Sequence, residues 1–174
     1  VMSAPAQIQI RYIPEEDRIL MRMNTLEDEE YRFWLTRRFC LRLWPVLQEA
    51  LFSTPTATQQ TSQTARQAVV AFEHEAAKSK AEFNASFREA KNLPLGINPL
   101  LVATAGFHQQ SPGVFFLTLQ NVNKEGINIT LTTELLHLVC KLLEDAGDES
   151  DWRLPPLVQS LGLDIVSPDS RHLN

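Results

Sequence analysis

Seven arginines fall within the first forty-two positions: Arg11, Arg18, Arg22 and Arg32, with Trp34 beside them and Arg37, Arg38 and Arg42 directly after. A guanidinium grips phosphate or carboxylate through a planar fork of donors, and an indole offers a face on which an unpaired base stacks. Gathered on one surface, Arg11, Arg18, Arg22, Arg32, Trp34, Arg37 and Arg38 would bind a polyanion. That could be an acidic protein, or single-stranded nucleic acid with Arg11, Arg22 and Arg32 on phosphates and Trp34 stacking. The competing reading is a solvated face whose arginines pair with Glu15, Glu16, Asp17 and the acidic run Glu27 to Glu30.

Other reactive side chains are less organised. His74, His108, His137 and His172 lack the spacing that would put two imidazoles, or an imidazole and a carboxylate, on one metal. His74, between Glu73 and Glu75, reads as part of a solvated helix face. An enzyme built across two sheets around His137 or His108 is the third reading, but no substrate cleft is defined for either base. Cys40 and Cys140 fall in apolar helical stretches and read as reduced core residues. Glu144, Asp145, Asp148, Glu149 and Asp151 cluster late in the chain without the pattern of a calcium loop. With six glycines and no glycine-rich phosphate loop or nucleophile elbow, no cofactor and no metal are expected.

These side chains must be carried by a chain of 174 residues, 44% apolar and 21% charged, which is enough to bury a core without disulfides. The net charge of −5 removes a whole-molecule basic field, so an anion-binding role needs a local patch. No apolar run approaches the roughly 20 residues that span a bilayer, so no membrane partner is expected. The opening VMSAPAQIQI lacks a charged region followed by an apolar one, and a cytoplasmic location is the expectation.

Ile8, Ile10 and Tyr12 alternate with polar residues, as do Ile19, Met21 and Met23, then Tyr31, Phe33 and Leu35. Period two means half-buried strands, and short polar connections mean antiparallel ones. The same alternation places Gln7, Gln9, Arg11, Arg18, Arg22, Arg32 and Trp34 opposite the apolar set, with no acid among them. Thr36 reads as the N-cap of a helix that Pro45 should kink or divide. Thr54 to Gln63 reads as a loop. From Thr64 to Lys91 the chain has neither Pro nor Gly and carries a small-residue seam at helical spacing, which predicts one long helix.

The second half runs in the same order. Strands are expected over 101–107, 114–120 and 127–131, then Thr132 as N-cap and a helix to about Ala146. An offset of 96 lays Met21 on Leu117, Phe33 on Ile129 and Thr36 on Thr132. The stretch GVFFLTLQ is apolar at nearly every position. It predicts a strand buried on both faces, covered by the Ala-rich helix on one side and by the other half or a second subunit on the other.

The expected fold class is therefore α+β: two antiparallel three-stranded meanders, each followed by a helix (a tandem βββα repeat), linked by a long helix. Residues 1–150 form one domain with pseudo-repeats 7–52 and 100–147 joined by helix 64–91; residues 151–174 form a strap and tail. In architecture alone, with no motif at the level of residues, tandem βββα units resemble the Whirly-like single-strand-binding arrangement. The function expected is a non-enzymatic macromolecular binding protein, a homodimer joined through the second sheet, presenting the arginine face to an acidic protein or to single-stranded nucleic acid.

Overall fold

The computed structural model describes residues 2–3, 5–83 and 86–156. The described residues form an α+β structure with two sheets and four helices. In order, the elements are β1 (Met2–Ser3), β2 (Gln7–Ile13), β3 (Arg18–Asn24), β4 (Glu30–Leu35), α1 (Arg37–Phe52), α2 (Pro55–Thr58), α3 (Gln63–Phe83), β5 (Leu100–Leu101), β6 (Thr104–Ser111), β7 (Val114–Gln120), β8 (Gly126–Thr132) and α4 (Thr133–Glu149). One sheet has the order β2-β3-β4-β5, the other β1-β8-β7-β6.

Each sheet has one strand more than the alternation predicts, and each extra strand comes from the other half of the chain. Leu100–Leu101 adds in parallel to Phe33–Trp34, and Met2–Ser3 adds in parallel to Asn128–Ile129. The expected single strand over 101–107 is thus two, in different sheets. The Val102 amide still donates to the Trp34 carbonyl at 3.0 Å, while the Ala103 amide donates to Gln120 of the other sheet at 2.8 Å. Two-residue strands carry no periodicity, so nothing in the residue pattern marks them.

Among the three longer strands of each sheet the pairing is antiparallel and in corresponding register. Ile10 faces Met21, which faces Phe33; Phe107 faces Leu117, which faces Ile129. The side chains these strands turn inward join those of α1 and α4 in one core, where Phe33, Leu35, Trp44, Phe115, Ile129 and Leu131 are almost fully buried.

Both helix starts follow the same chemistry. The Thr36 hydroxyl accepts from the Phe39 amide and the Thr132 hydroxyl from the Leu135 amide, each satisfying a donor that the first turn leaves free. Thr36→Ala and Thr132→Ala are each expected to cost about 1 kcal/mol, read as a lower urea midpoint at unchanged m.

Several expectations are corrected. Pro45 does not divide α1, which runs unbroken from Arg37 to Phe52; it lies exposed, and the turns on either side are held by buried Leu43, Trp44, Leu47 and Gln48. The loop before α3 contains the short helix α2, with Pro55 at its start. The long helix does not run 64–91: α3 ends at Phe83, and Ser86, with φ 46°, opens a non-helical run to Asn92. Among the described residues α3 packs on α4, α2 and α1 rather than over a sheet. β7 is buried on one face only, with Phe115, Leu117 and Leu119 inside and Val114, Phe116, Thr118 and Gln120 half-exposed. Phe116 is sheltered by His108, 5.3 Å away edge to face, rather than by a covering layer.

The strap is present over the described residues 151–156; its continuation, 157–174, lies outside them. Trp152 is buried beside Tyr12, and the Pro155 carbonyl accepts from Trp44 Nε1 at 2.6 Å. No helix among the described residues is long and apolar enough to cross a membrane.

Candidate binding surface

The registers place Arg11, Arg18, Arg22, Arg32 and Trp34 on the outer face of the first sheet, as the alternation requires. Gln9, Arg22 and Arg32 form one row, and Arg11, Leu20, Trp34 and Leu101 the next. The expectation that no acid shares this face is overturned. Glu30 is the first residue of β4, not part of the loop, and its position opposite Asn24 turns its side chain to the same side.

The Glu30 side chain has no exposed surface. It accepts from Arg22 Nε at 2.8 Å, from Arg32 Nε at 2.7 Å and from the Ala90 amide at 3.2 Å. Burial alone would raise its pKa, but hydrogen bonds from Arg22, Arg32 and the Ala90 amide outweigh burial and hold the carboxyl below its ordinary value. Arg22 also meets Glu89 at 3.1 Å and lies 4.5 Å over the ring of Phe87. Two arginines of the expected face are therefore committed to structure: they hold the Ser86–Asn92 run against one end of the sheet. Arg18 pairs at 3.7 Å with Glu16, and Arg37 donates to the Trp152 carbonyl, tying the strap to α1.

Arg11, Arg38 and Arg42 remain. All three are exposed, and none makes an ion pair or hydrogen bond within the described residues. Arg11 ends the row containing half-buried Leu20 and Trp34, and Leu101, which is 45% exposed. Arg38 and Arg42, one turn apart on α1, wall a groove of about 590 Å³ between that helix and β6. Its floor is apolar, with Phe39, Leu43, Val46, Val102 and Phe107. The groove begins where the apolar row ends: Thr36 lies two residues beyond Trp34, and Val102 one beyond Leu101. Arg42 adjoins the expected set in sequence; the groove itself, made by β6 and α1 from opposite halves, had no local signal.

The histidines come together elsewhere. His74, far from solvated, is 7% exposed because α4 packs on α3, and its Nε2 lies 3.2 Å from Glu144. His137 is 2% exposed, with Nε2 3.0 Å from Glu73, and the two rings are 6.0 Å apart. Burial lowers the pKa of His137 against the opposing pull of Glu73. Reciprocal His–Glu pairs of this kind bind two helices to each other. His108 lies apart on β6, facing Phe116. The cysteines are buried, and desolvation pushes the Cys40 thiol up to about 12, well outside the range of a nucleophile at neutral pH. Among the described residues no group of His, Cys, Asp and Glu is placed to hold a metal.

Comparison of the chain with known families, with curated proteins and with solved structures finds no match.

Proposed function

We propose that this chain is a non-enzymatic interaction module that binds an acidic protein segment in the groove between α1 and β6, with Arg38 and Arg42 supplying the charge. One observation carries this reading: two exposed guanidinium groups without acidic partners stand on the wall of an apolar groove, in a protein whose net charge is −5. Elsewhere on the arginine surface the cations have carboxylate or carbonyl partners, so these two and Arg11 are the ones free to meet an incoming anion. The row of Arg11, Leu20, Trp34 and Leu101 extends the surface, and Arg18 and Arg37 lie at its margins. We also read the two halves as copies of one βββα unit. The matching registers, the identical N-caps and the reciprocal parallel strands support that reading.

The test is fluorescence anisotropy with a labelled Asp/Glu-rich peptide and a labelled oligo-dT, each over a salt series. The acidic peptide is expected to bind in the micromolar range, more weakly as salt screens the arginines, and at least tenfold more weakly to Arg38→Glu/Arg42→Glu. Tighter binding of oligo-dT, with a log-log salt slope of about −0.7 per phosphate and loss in Trp34→Ala, would replace this reading by single-strand binding.

A further inference from the structure

The groove beside β6 has a counterpart in the same molecule, between α4 and β2. Phe39 and Val46 on α1 stand where Leu135 and Leu142 stand on α4, and Phe107 on β6 where Ile10 stands on β2. In the counterpart the chain itself supplies part of the wall. Ser86 and Phe87 line it, the Arg88 amide donates to Gln7 Oε1 at 3.0 Å, and the Arg88 carbonyl accepts from Asn24 Nδ2 at 2.7 Å. A non-helical segment therefore lies against this part of the architecture, held by side chains of β2 and β3, with Phe87 beneath Arg22.

The two grooves differ in three respects that bear on the occupant. The one beside β6 is larger, about 590 against 320 Å³. Both β6 and β2 end their sheets among the described residues, but β6 is exposed at every position except Phe107, whereas β2 is exposed only at Arg11. The β6 sequence, TAGFHQQS, holds none of the Lys, Pro or acidic residues that guard an edge against pairing. Finally, Arg42 stands where Leu138 stands in the counterpart, so an apolar wall is exchanged for a cationic one.

We propose that the groove takes an acidic segment of another protein in extended conformation, which adds to β6 as a further strand and seats one aromatic side chain between α1 and β6. This rests on the reading of the groove as the acidic-partner site and deepens it. Main-chain hydrogen bonds to the open edge supply affinity, while the anchor and the carboxylates supply selection. A second copy joined symmetrically through β6 would bring two sets of Arg38 and Arg42 to one seam, like charge toward like, which disfavours self-pairing.

The probe is a fluorescein-labelled ten-residue peptide of alternating Glu and Val with a central Phe. It is compared with a version whose backbone is N-methylated at alternate residues and one in which Phe is replaced by Ala. The parent is expected to bind in the tens of micromolar, both altered peptides at least tenfold more weakly, and Arg42→Glu protein at least tenfold more weakly. Amides of 104–111 should gain hydrogen-exchange protection on binding. Binding that depends on Arg42 but ignores N-methylation and the Phe would overturn strand addition and leave the acidic-partner reading standing. No binding up to millimolar peptide, or binding indifferent to both Arg38→Glu and Arg42→Glu, would overturn both. Concentration-dependent self-association that itself protects 104–111 would make a second copy the occupant and overturn the proposal.

Discussion

Glu30→Gln is expected to lower the unfolding free energy by about 3–5 kcal/mol, the usual result of removing one partner from a buried charge cluster. The reason lies in what is left behind. Arg22 and Arg32, with side chains only 16% and 21% exposed, would face each other and a neutral amide. The Ala90 amide would also lose its carboxylate acceptor. For a chain of this length the melting temperature should fall by roughly 10 °C. The same substitution should alter the acid limb of stability. Because Glu30 is held below the 4.5 of a free carboxyl, its contribution is complete above that pH and is lost as pH falls through the folded-state pKa. Urea midpoints measured from pH 6 downward should therefore fall less steeply in Glu30→Gln than in the parent. Equal slopes would mean that the cluster contributes nothing through ionisation.

The second large effect concerns the leucine that precedes each capping threonine. Leu35 is 1% exposed and Leu131 is fully buried, and they lie immediately before Thr36 and Thr132. An aspartate at either place would bury an unpaired carboxylate beside a helix start, a cost of several kcal/mol added to the loss of the leucine's packing. Against a typical total of about 5–15 kcal/mol, Leu35→Asp and Leu131→Asp should each abolish cooperative folding at 25 °C. Circular dichroism and size-exclusion chromatography would register it. If one variant folded normally, the two halves would not carry equal weight in the core.

What could be read from residues alone follows from the range of the interactions involved. The strands β2, β3, β4 and β8 and both N-caps were legible because period-two alternation and a threonine hydroxyl act within a few positions; β7 was legible as a strand but expected to be buried on both faces, and β6, expected over 101–107, is found at Thr104–Ser111 and exposed at all but Phe107. Glu30 was misassigned because its acidic neighbours describe a loop, whereas its own environment comes from Arg22 across the sheet and Ala90 sixty residues on. The end of α3 was misjudged for the same reason. Ser86 to Lys91 has acceptable helical composition, but Gln7, Asn24 and Glu30 offer its backbone better partners than another helical turn would. His74 looked solvated between two glutamates until α4 supplied Glu144. The arginine face was located in outline; which arginines are free was decided by carboxylates and carbonyls that local spacing does not reveal.

The exchange of edge strands between halves also bears on the order in which the molecule can be completed during synthesis. While residues 7–52 are the only ones available, β4 has an unpaired edge and the Glu30 cluster lacks Ala90 and Asn92, so the first half stays unfinished until the chain has been made past Leu101. Met2–Ser3 must then wait for Asn128–Ile129, the longest loop closure in either sheet. A ribosome-bound chain stopped between the halves should thus be protease-sensitive throughout, and resistance should arise in one late step.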